Sequence, residues 1–173
     1  MTDDAESTGE IRPMCRGDLA LVLAWRNHPD IRRYMYTTHV IAEPEHMAWY
    51  DRASQDDHKH LLIFQLAGIP MGFASLTTNA IANIADWGFY LAPNAKRGEG
   101  RKLGKAVLDY AFNTLSLHKV CGQALDFNTR SIDFHTRLGF TTEGKLREQH
   151  FDGAQHHSIV LFGMLRHEWN ATL

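Results

Sequence analysis

Between Asn94 and Phe112 the chain reads NAKRGEGRKLGKAVLDYAF, setting five basic residues and three glycines in front of, and into, an apolar helical pattern. Glycine lets backbone approach an oxyanion closely, the first turn of a helix offers unpaired N–H groups at the positive end of its dipole, and basic side chains add charge-assisted contacts. Together these suit a phosphate. The spacing is neither Gly-x-x-x-x-Gly-Lys-Ser/Thr nor Gly-x-Gly-x-x-Gly, so the stretch is not a P-loop or a Rossmann fingerprint. A solvated basic helix start behind a Gly-rich loop would use the same residues, and this stretch alone leaves the two readings level.

Eleven histidines invite a metal reading that their spacing does not support. His58-x-His60 is followed by no carboxylate or cysteine at a ligand offset, and His156 and His157 point to opposite faces if they lie on a strand. No metal is expected.

A phosphate cradle at Arg97 needs an element leading in and one leading away. IADWGFYLAP supplies a strand before it, and GKAVLDYAFNTL, with Val107, Leu108, Ala111, Phe112 and Leu115 in a helical stripe, supplies the helix after it. HKVCGQALDF reads as the next strand and TRSIDFHTRLGF as a short helix stopped by Gly139. Upstream, KHLLIFQL and MGFASLTT are β-type runs around an AGIP turn, so three consecutive antiparallel strands are expected with IADWGFYLAP. EIRPM is a short first strand. GDLALVLAWRN is a helix with Leu19, Val22, Leu23 and Trp25 at helical spacing, and Pro29 and Pro44 each open a further helix. KLREQHF and HHSIVLFGML close the chain as a hairpin around Asp152-Gly153.

At 173 residues the chain is long enough for one α/β domain with a sizeable core and too short for two. A net charge of −2 and a pI near 6.6 exclude the uniformly basic signature of a nucleic-acid binder, so the basic cluster is local. Two cysteines, Cys15 and Cys121, fit reduced cytoplasmic thiols better than a disulfide framework. MTDDAESTGE has no basic start and no apolar run, and reads as neither signal peptide nor membrane span. Residues 1–9 are expected to be a disordered acidic tail and 10–173 a single domain. Closing strands such as HHSIVLFGML either pair across a homodimer or lie under a covered edge.

KRGEGRKLGKAVLDYAF together with FNTRSIDFHTRLGF resembles the two signature motifs of the GNAT acetyltransferase superfamily. The resemblance implies an acyl-CoA N-acyltransferase fold of the α/β (α+β) kind, a central mixed, mostly antiparallel sheet of about seven strands flanked by helices. Its first motif, Arg/Gln-x-x-Gly-x-Gly/Ala, implies acetyl-CoA as cosubstrate, with Arg97, Gly98, Gly100, Arg101, Lys102, Leu103 and Gly104 around its pyrophosphate. Lys102 stands where Gly or Ala is usual. Asn128, Ser131, Phe134-His135 and Gly139-Phe140 occupy the second motif. WRNHPDIRRYMYTTHVIAEPEHMAWY, ADWGFYLAP, LHKVCGQALDFN and LREQHFDG are similar to one branch, the N-acetyltransferases of the pseudaminic acid pathway. That branch implies acetylation of the 4-amino group of a UDP-linked 4-amino-4,6-dideoxy sugar.

Direct attack of an amine on a thioester needs a neutral amine, an oxyanion donor and a proton for the departing thiolate. The resemblance implies that WGFYL splays from CGQALDF, freeing backbone at Phe89, Tyr90 and Leu91, with an N–H near Tyr90 or Leu91 facing the carbonyl. His135 falls where relatives carry a general-acid tyrosine, and a histidine of reference pKa near ~6.5 suits proton transfer; the alternative is a capping or surface histidine. Gln123 falls where relatives carry a proposed glutamate base, and can orient a water but not accept the proton alone. His46 is a candidate base or phosphate contact, or the polar face of its helix, and His39 lies in the same acceptor segment. Trp25 is read either as a uracil platform or as core, Arg26 and Arg33 as diphosphate ligands, and Asp86 and Trp87 as contacts to the sugar or its amine. Two other functions remain open: acetylation of a protein N-terminus or polyamine, and CoA binding without catalysis.

Overall fold

The computed structural model describes residues 9–170. The expected tail therefore lies outside the described residues except for Gly9, which packs on Phe64 so closely that an added Cβ would come within 2.3 Å of the ring. In chain order the elements are β1 (Glu10–Pro13), α1 (Leu19–Asn27), α2 (Pro29–Arg32), α3 (Glu43–Ala53), β2 (Lys59–Leu66), β3 (Ile69–Asn79) and β4 (Ile84–Leu91). Then come α4 (Glu99–Asp109), β5 (Lys119–Leu125), α5 (Thr129–Leu138), β6 (Thr141–Phe151), β7 (His156–Leu165) and α6 (Arg166–Asn170). Among the described residues no helix is long and apolar enough to cross a membrane.

The strands form one seven-stranded sheet in the order β1-β2-β3-β4-β5-β7-β6. Every neighbouring pair is antiparallel except β4 and β5, which are parallel. The mixed sheet is the one expected. β7 lies between β5 and β6, so the strand considered for pairing across a dimer is interior, and β6 is the outer strand.

Helices cover both faces, and the sequence of β2 records it. Leu61, Leu62, Ile63 and Phe64 are all buried, because Leu62 and Phe64 join one core under α4 while Leu61 and Ile63 join the other under α1 and α3. On α4 the stripe Leu103, Val107, Leu108 and Ala111 is fully buried, continuing the spacing of one helical face. α5 begins at Asn128, whose Oδ1 accepts the Ser131 N–H at 3.1 Å, and ends at Gly139 in the left-handed conformation at φ 95°.

Three features differ from the sequence reading. α4 starts at Glu99, ahead of the apolar stripe, and its last turn widens to a π-helical turn over Tyr110–Thr114. β6 starts at Thr141, before the expected KLREQHF, since an outer strand exposed on almost every residue has no alternation to show. α6 was not expected at all: five residues carry no periodicity, and the helix is fixed by tertiary contact, with Trp169 2% exposed and its indole N–H donated to Asp109 at 3.0 Å.

Gly104 brings α4 against α5, for a Cβ there would stand 2.5 Å from Leu138 Cδ1 and 3.0 Å from Phe134 Cζ. Gly144 on β6 has nothing within 4 Å of the same construction. Gly104→Val is expected to cost about 1–3 kcal/mol by overpacking, and Gly144→Ala to stay within about 0.5 kcal/mol, both measured by urea unfolding.

Candidate active site

β4 and β5 pair through only Ile84↔Lys119, Ala85↔Val120 and Asp86↔Cys121. Beyond Asp86, β4 stays on β3 and β5 stays on β7, so the two strands part and leave a gap between Trp87–Leu91 and Gly122–Leu125. The Ala92 N–H bonds Met71 O at 2.7 Å. Alternation along an antiparallel strand then turns the N–H groups of Tyr90 and Gly88 toward β3 and those of Leu91, Phe89 and Trp87 toward the gap. Of the two donors expected from sequence, Leu91 faces the gap and Tyr90 does not.

A wedge sits where the pairing stops. Trp87 would be the next residue opposite Gly122, and a Cβ on Gly122 would stand 2.7 Å from Trp87 Nε1 and 2.5 Å from His135 Nε2. The two rings bond to each other, Trp87 Nε1–H donating to His135 Nε2 at 3.1 Å. His135 Nδ1 is 2.8 Å from Ser131 O, which makes Nδ1 the protonated nitrogen. The imidazole is 1% exposed, lies flat on Phe162 with centroids 4.5 Å apart, and is edged by Phe140 and Phe134. Burial lowers its pKa to about 4. A neutral ring with both nitrogens engaged holds no transferable proton at neutral pH, so the general-acid expectation gives way to a structural role at the wedge. Trp87, 7% exposed in the same core, likewise stands away from any sugar.

At the open end of the gap, Gly98 caps α4 in the left-handed conformation at φ 96°, with open space where a Cβ would project. Its carbonyl takes the N–H groups of Arg101 and Lys102, and Glu99 Oε2 takes that of Lys96 at 2.7 Å. Among the described residues the N–H groups of Arg97, Gly98 and Gly100 have no partner, and Arg97 and Arg101 are exposed beside them. This is chemistry that fits a pyrophosphate. Leu103 and Gly104 face the other way, Leu103 fully buried over Gly72 and Gly104 against α5, so both serve packing. Lys102 turns toward the start of β1, its Cβ 3.5 Å from the position a Gly9 Cβ would take. Asn128 and Ser131 cap α5 and hold His135.

Side chains on β4 divide between the faces. Ala85, Trp87, Phe89 and Leu91 enter the core under α4 and α5, while Tyr90 joins the core under α1 and α3, which places Asp86 and Gly88 on that second face. Gly88 meets only Ser75 Oγ, at 3.4 Å from a built Cβ, so packing does not demand a glycine there. Asp86 is exposed beside it. From β5, Gln123 is exposed and its Oε1 accepts the Tyr36 hydroxyl at 2.8 Å.

The remaining candidates scatter. Trp25 is 6% exposed among Val22, Tyr50 and Ile63, and is core, not a base platform. Arg26 is drawn under the loop after α2, Nη2 donating to Thr37 O at 2.8 Å while Nη1 is buried without a partner. His46 is 5% exposed, stacked on Trp49, with Nε2 buried and unpartnered and its pKa lowered by burial. It is a neutral interior ring, not the polar face of α3. His39 is exposed and lies 3.0 Å from Glu45. Arg33 is exposed, and with Pro29, Arg32, Thr38 and Asp152 lines a cavity of about 440 Å³ at the tip of the β6–β7 hairpin.

Sequence reasoning missed Gly122, Tyr36 and Arg32. A lone glycine inside a strand pattern was a usable signal of close approach. Tyr36 carried none, because its partner lies 87 residues away.

The wedge predicts a pH response. His135 titrates at about 4 when folded against an ordinary 6.5, so below pH 6.5 the unfolded chain takes a proton that the native one refuses. Its contribution is complete above 6.5 and is lost as pH falls toward 4, by roughly 3 kcal/mol. Urea midpoints at pH 7, 5.5 and 4.5 should show this slope, shallower in His135→Leu, with smaller losses of the same sign from His46 and His60, both lowered by burial.

Comparison with known proteins agrees with this geometry. Residues 10–141 match the acetyltransferase (GNAT) domain family. The chain is 30% identical to the acetyltransferase PseH of Campylobacter jejuni over 128 residues, 72% of this chain and 77% of the relative. It is 24% identical to spermidine N(1)-acetyltransferase of Escherichia coli K12 over 164 residues, 94% of this chain and 88% of the relative. The crystal structure of spermidine N-acetyltransferase from Vibrio cholerae in complex with CoA and spermine shares the fold, with TM-score 0.88 and 24% identity over 95% of this chain and 99% of that one. The parted strands, the glycine-capped helix and these matches have one conclusion: the chain belongs to the GNAT acetyltransferase family and is an acetyl-CoA-dependent N-acetyltransferase.

Proposed function

We propose that the acceptor is the 4-amino group of a UDP-linked 4-amino-4,6-dideoxy sugar, acetylated as in pseudaminic acid-type biosynthesis. The observation that carries this reading is the open cavity of about 440 Å³ at the tip of the β6–β7 hairpin, lined by Pro29, Arg32, Arg33, Thr38 and Asp152, with Arg33 also 3.6 Å from the exposed Asp30. Asp152 is already committed to the Ala154 and Gln155 N–H groups and to His157 at 2.6 Å. Asp30 is an exposed partner that a bound anion can displace, and two guanidiniums beside a carboxylate already taken up by its own turn favour a diphosphate over a polycation. The relative PseH points the same way.

In this reading the N–H groups of Arg97, Gly98 and Gly100, with the Arg97 and Arg101 side chains, hold the pyrophosphate of acetyl-CoA, and Lys102 adds charge from its flank. The backbone of Phe89 and Leu91 lies along the pantetheine arm, and the Leu91 N–H stabilises the oxyanion. Asp86 receives the acceptor amino group, whose ammonium proton passes to solvent before attack, and Gly88 leaves room for it. The amine attacks the thioester directly, with no covalent intermediate on the protein. A cytoplasmic setting is supported by Cys15 and Cys121, both free thiols. A homodimer is supported by β6, the exposed outer strand.

Acetylation of a polyamine is the second reading, favoured by the spermidine acetyltransferase relatives, which match more of the chain. Release of CoA thiol, followed with mass detection of the product, separates the two. The UDP-amino sugar should gain one acetyl group at a kcat/KM well above that for spermidine, and the reverse order overturns the assignment. Arg32→Ala and Arg33→Ala should each raise acceptor KM about tenfold, from the loss of a charge-assisted bond, with KM for acetyl-CoA unchanged.

A further inference from the structure

When an acetyl group passes from a thioester to an amine, sulfur departs with the electron pair of the broken C–S bond and must regain a proton. His135 is 1% exposed, its Nδ1–H bound to Ser131 O and its Nε2 covered by the Trp87 indole, so no atom of the ring is open to an incoming sulfur. Cys121 sits opposite Asp86 in the last of the three pairs, on the closed side of the parting. Tyr90 is packed with Phe73 and Trp25 in the second core.

Tyr36 stands apart from these. Its hydroxyl donates to Gln123 Oε1 at 2.8 Å. Gln123 is the first β5 residue past the parting whose side chain faces the acceptor side, since Gly122 before it faces the Trp87–His135 wedge. The phenol is also fixed in place. His150 of β6 packs edge-on to its ring with centroids 5.1 Å apart, Arg26 holds the next residue by the Thr37 carbonyl, and Asn27 takes both the N–H and the C=O of Ile41. Tyr34 stacks on Phe127 at 6.0 Å on the other side. An exposed loop from Tyr36 to Val40 is thus tied down on both sides of one hydroxyl that meets the Gln123 side chain of β5.

We propose that Tyr36 is the proton donor to the departing thiolate, with Gln123 as its positioning residue. The proposal rests on the reading of the gap as the transfer site. The amine nitrogen bonds to the carbonyl carbon, the C–S bond breaks, and sulfur takes the phenolic proton. The phenolate recovers a proton from the nitrogen that has become an amide, through solvent at the exposed mouth, so donor and charge are restored each turnover. Partial burial raises the Tyr36 pKa above its ordinary value, which keeps the hydroxyl protonated at neutral pH.

The test uses the full chain with acetyl-CoA and, in parallel, the UDP-amino sugar and spermidine as acceptors. Tyr36→Phe should keep its thermal midpoint and its KM for acetyl-CoA within twofold while kcat falls at least tenfold, toward the ~10²-fold typical of general acids. Gln123→Ala should lose less. With acetyl-selenocoenzyme A, whose selenolate leaves without needing a proton, Tyr36→Phe should regain most of the lost rate. A fall under tenfold, a defect confined to acceptor KM, or an equal defect with the seleno ester overturns the proposal. Activity on spermidine alone would overturn the sugar assignment while leaving this comparison of kcat values intact.

Discussion

The hydrogen bond from Trp87 to His135 is the constraint on which the site depends. Two rings joined at 3.1 Å fill the space over Gly122, at the place where β4 and β5 would otherwise form their fourth pair. A sheet interior normally satisfies its own backbone, and leaving N–H and C=O groups unpaired there costs free energy. The wedge makes the parting the low-energy arrangement, because closing it would drive two packed aromatic systems apart. The backbone of Phe89 and Leu91, proposed to line the thioester, lies on the edge that this bond keeps open.

The sheet then separates two tasks by face. On the side of α4 and α5, glycines at 98 and 100 expose backbone donors and a stripe of leucine, valine and phenylalanine anchors the helix that presents them. On the side of α1 and α3 the surface near the gap is polar and partly open, with Asp86, Gly88, Gln123 and Tyr36. β4 serves both, since its alternate residues belong to different faces while its backbone faces the gap. On the proposed reading, one strand positions one substrate with its main chain and receives the other beside its side chains.

Much of the fold was legible because both cores leave regular marks. The continuous apolar run of β2, the stripe of α4 and the proline starts of α2 and α3 follow from local geometry and burial. The glycine-rich cradle was legible for the same reason, as a strand and a helix meeting at residues that free the backbone. What stayed hidden depends on contacts far apart in sequence. The motif reading of His135 as a general acid had no view of its environment, because the indole that locks it is 48 residues away. Trp25, beside Arg26, was open to reading as a stacking platform or as core, and the fold, with α1 turning it inward, makes it core. Tyr36 sits in a segment without periodicity, and only the path of the loop brings it to β5.

The seam between β4 and β5 has a further consequence. Three residue pairs join β1 through β4 to β5 through β7, whereas β2 and β3 share eight and β5 and β7 share seven. Across the seam the two halves are bound chiefly by side chains, with Trp87 against His135 and Phe134, and Gly104 against Leu138. Backbone ladders and apolar contacts respond differently to cooling, since hydrophobic association weakens in the cold. The molecule therefore has a line of cold weakness that runs along the parting of β4 and β5, and its two hairpin-built halves should keep their amide protection at temperatures where the seam has begun to exchange.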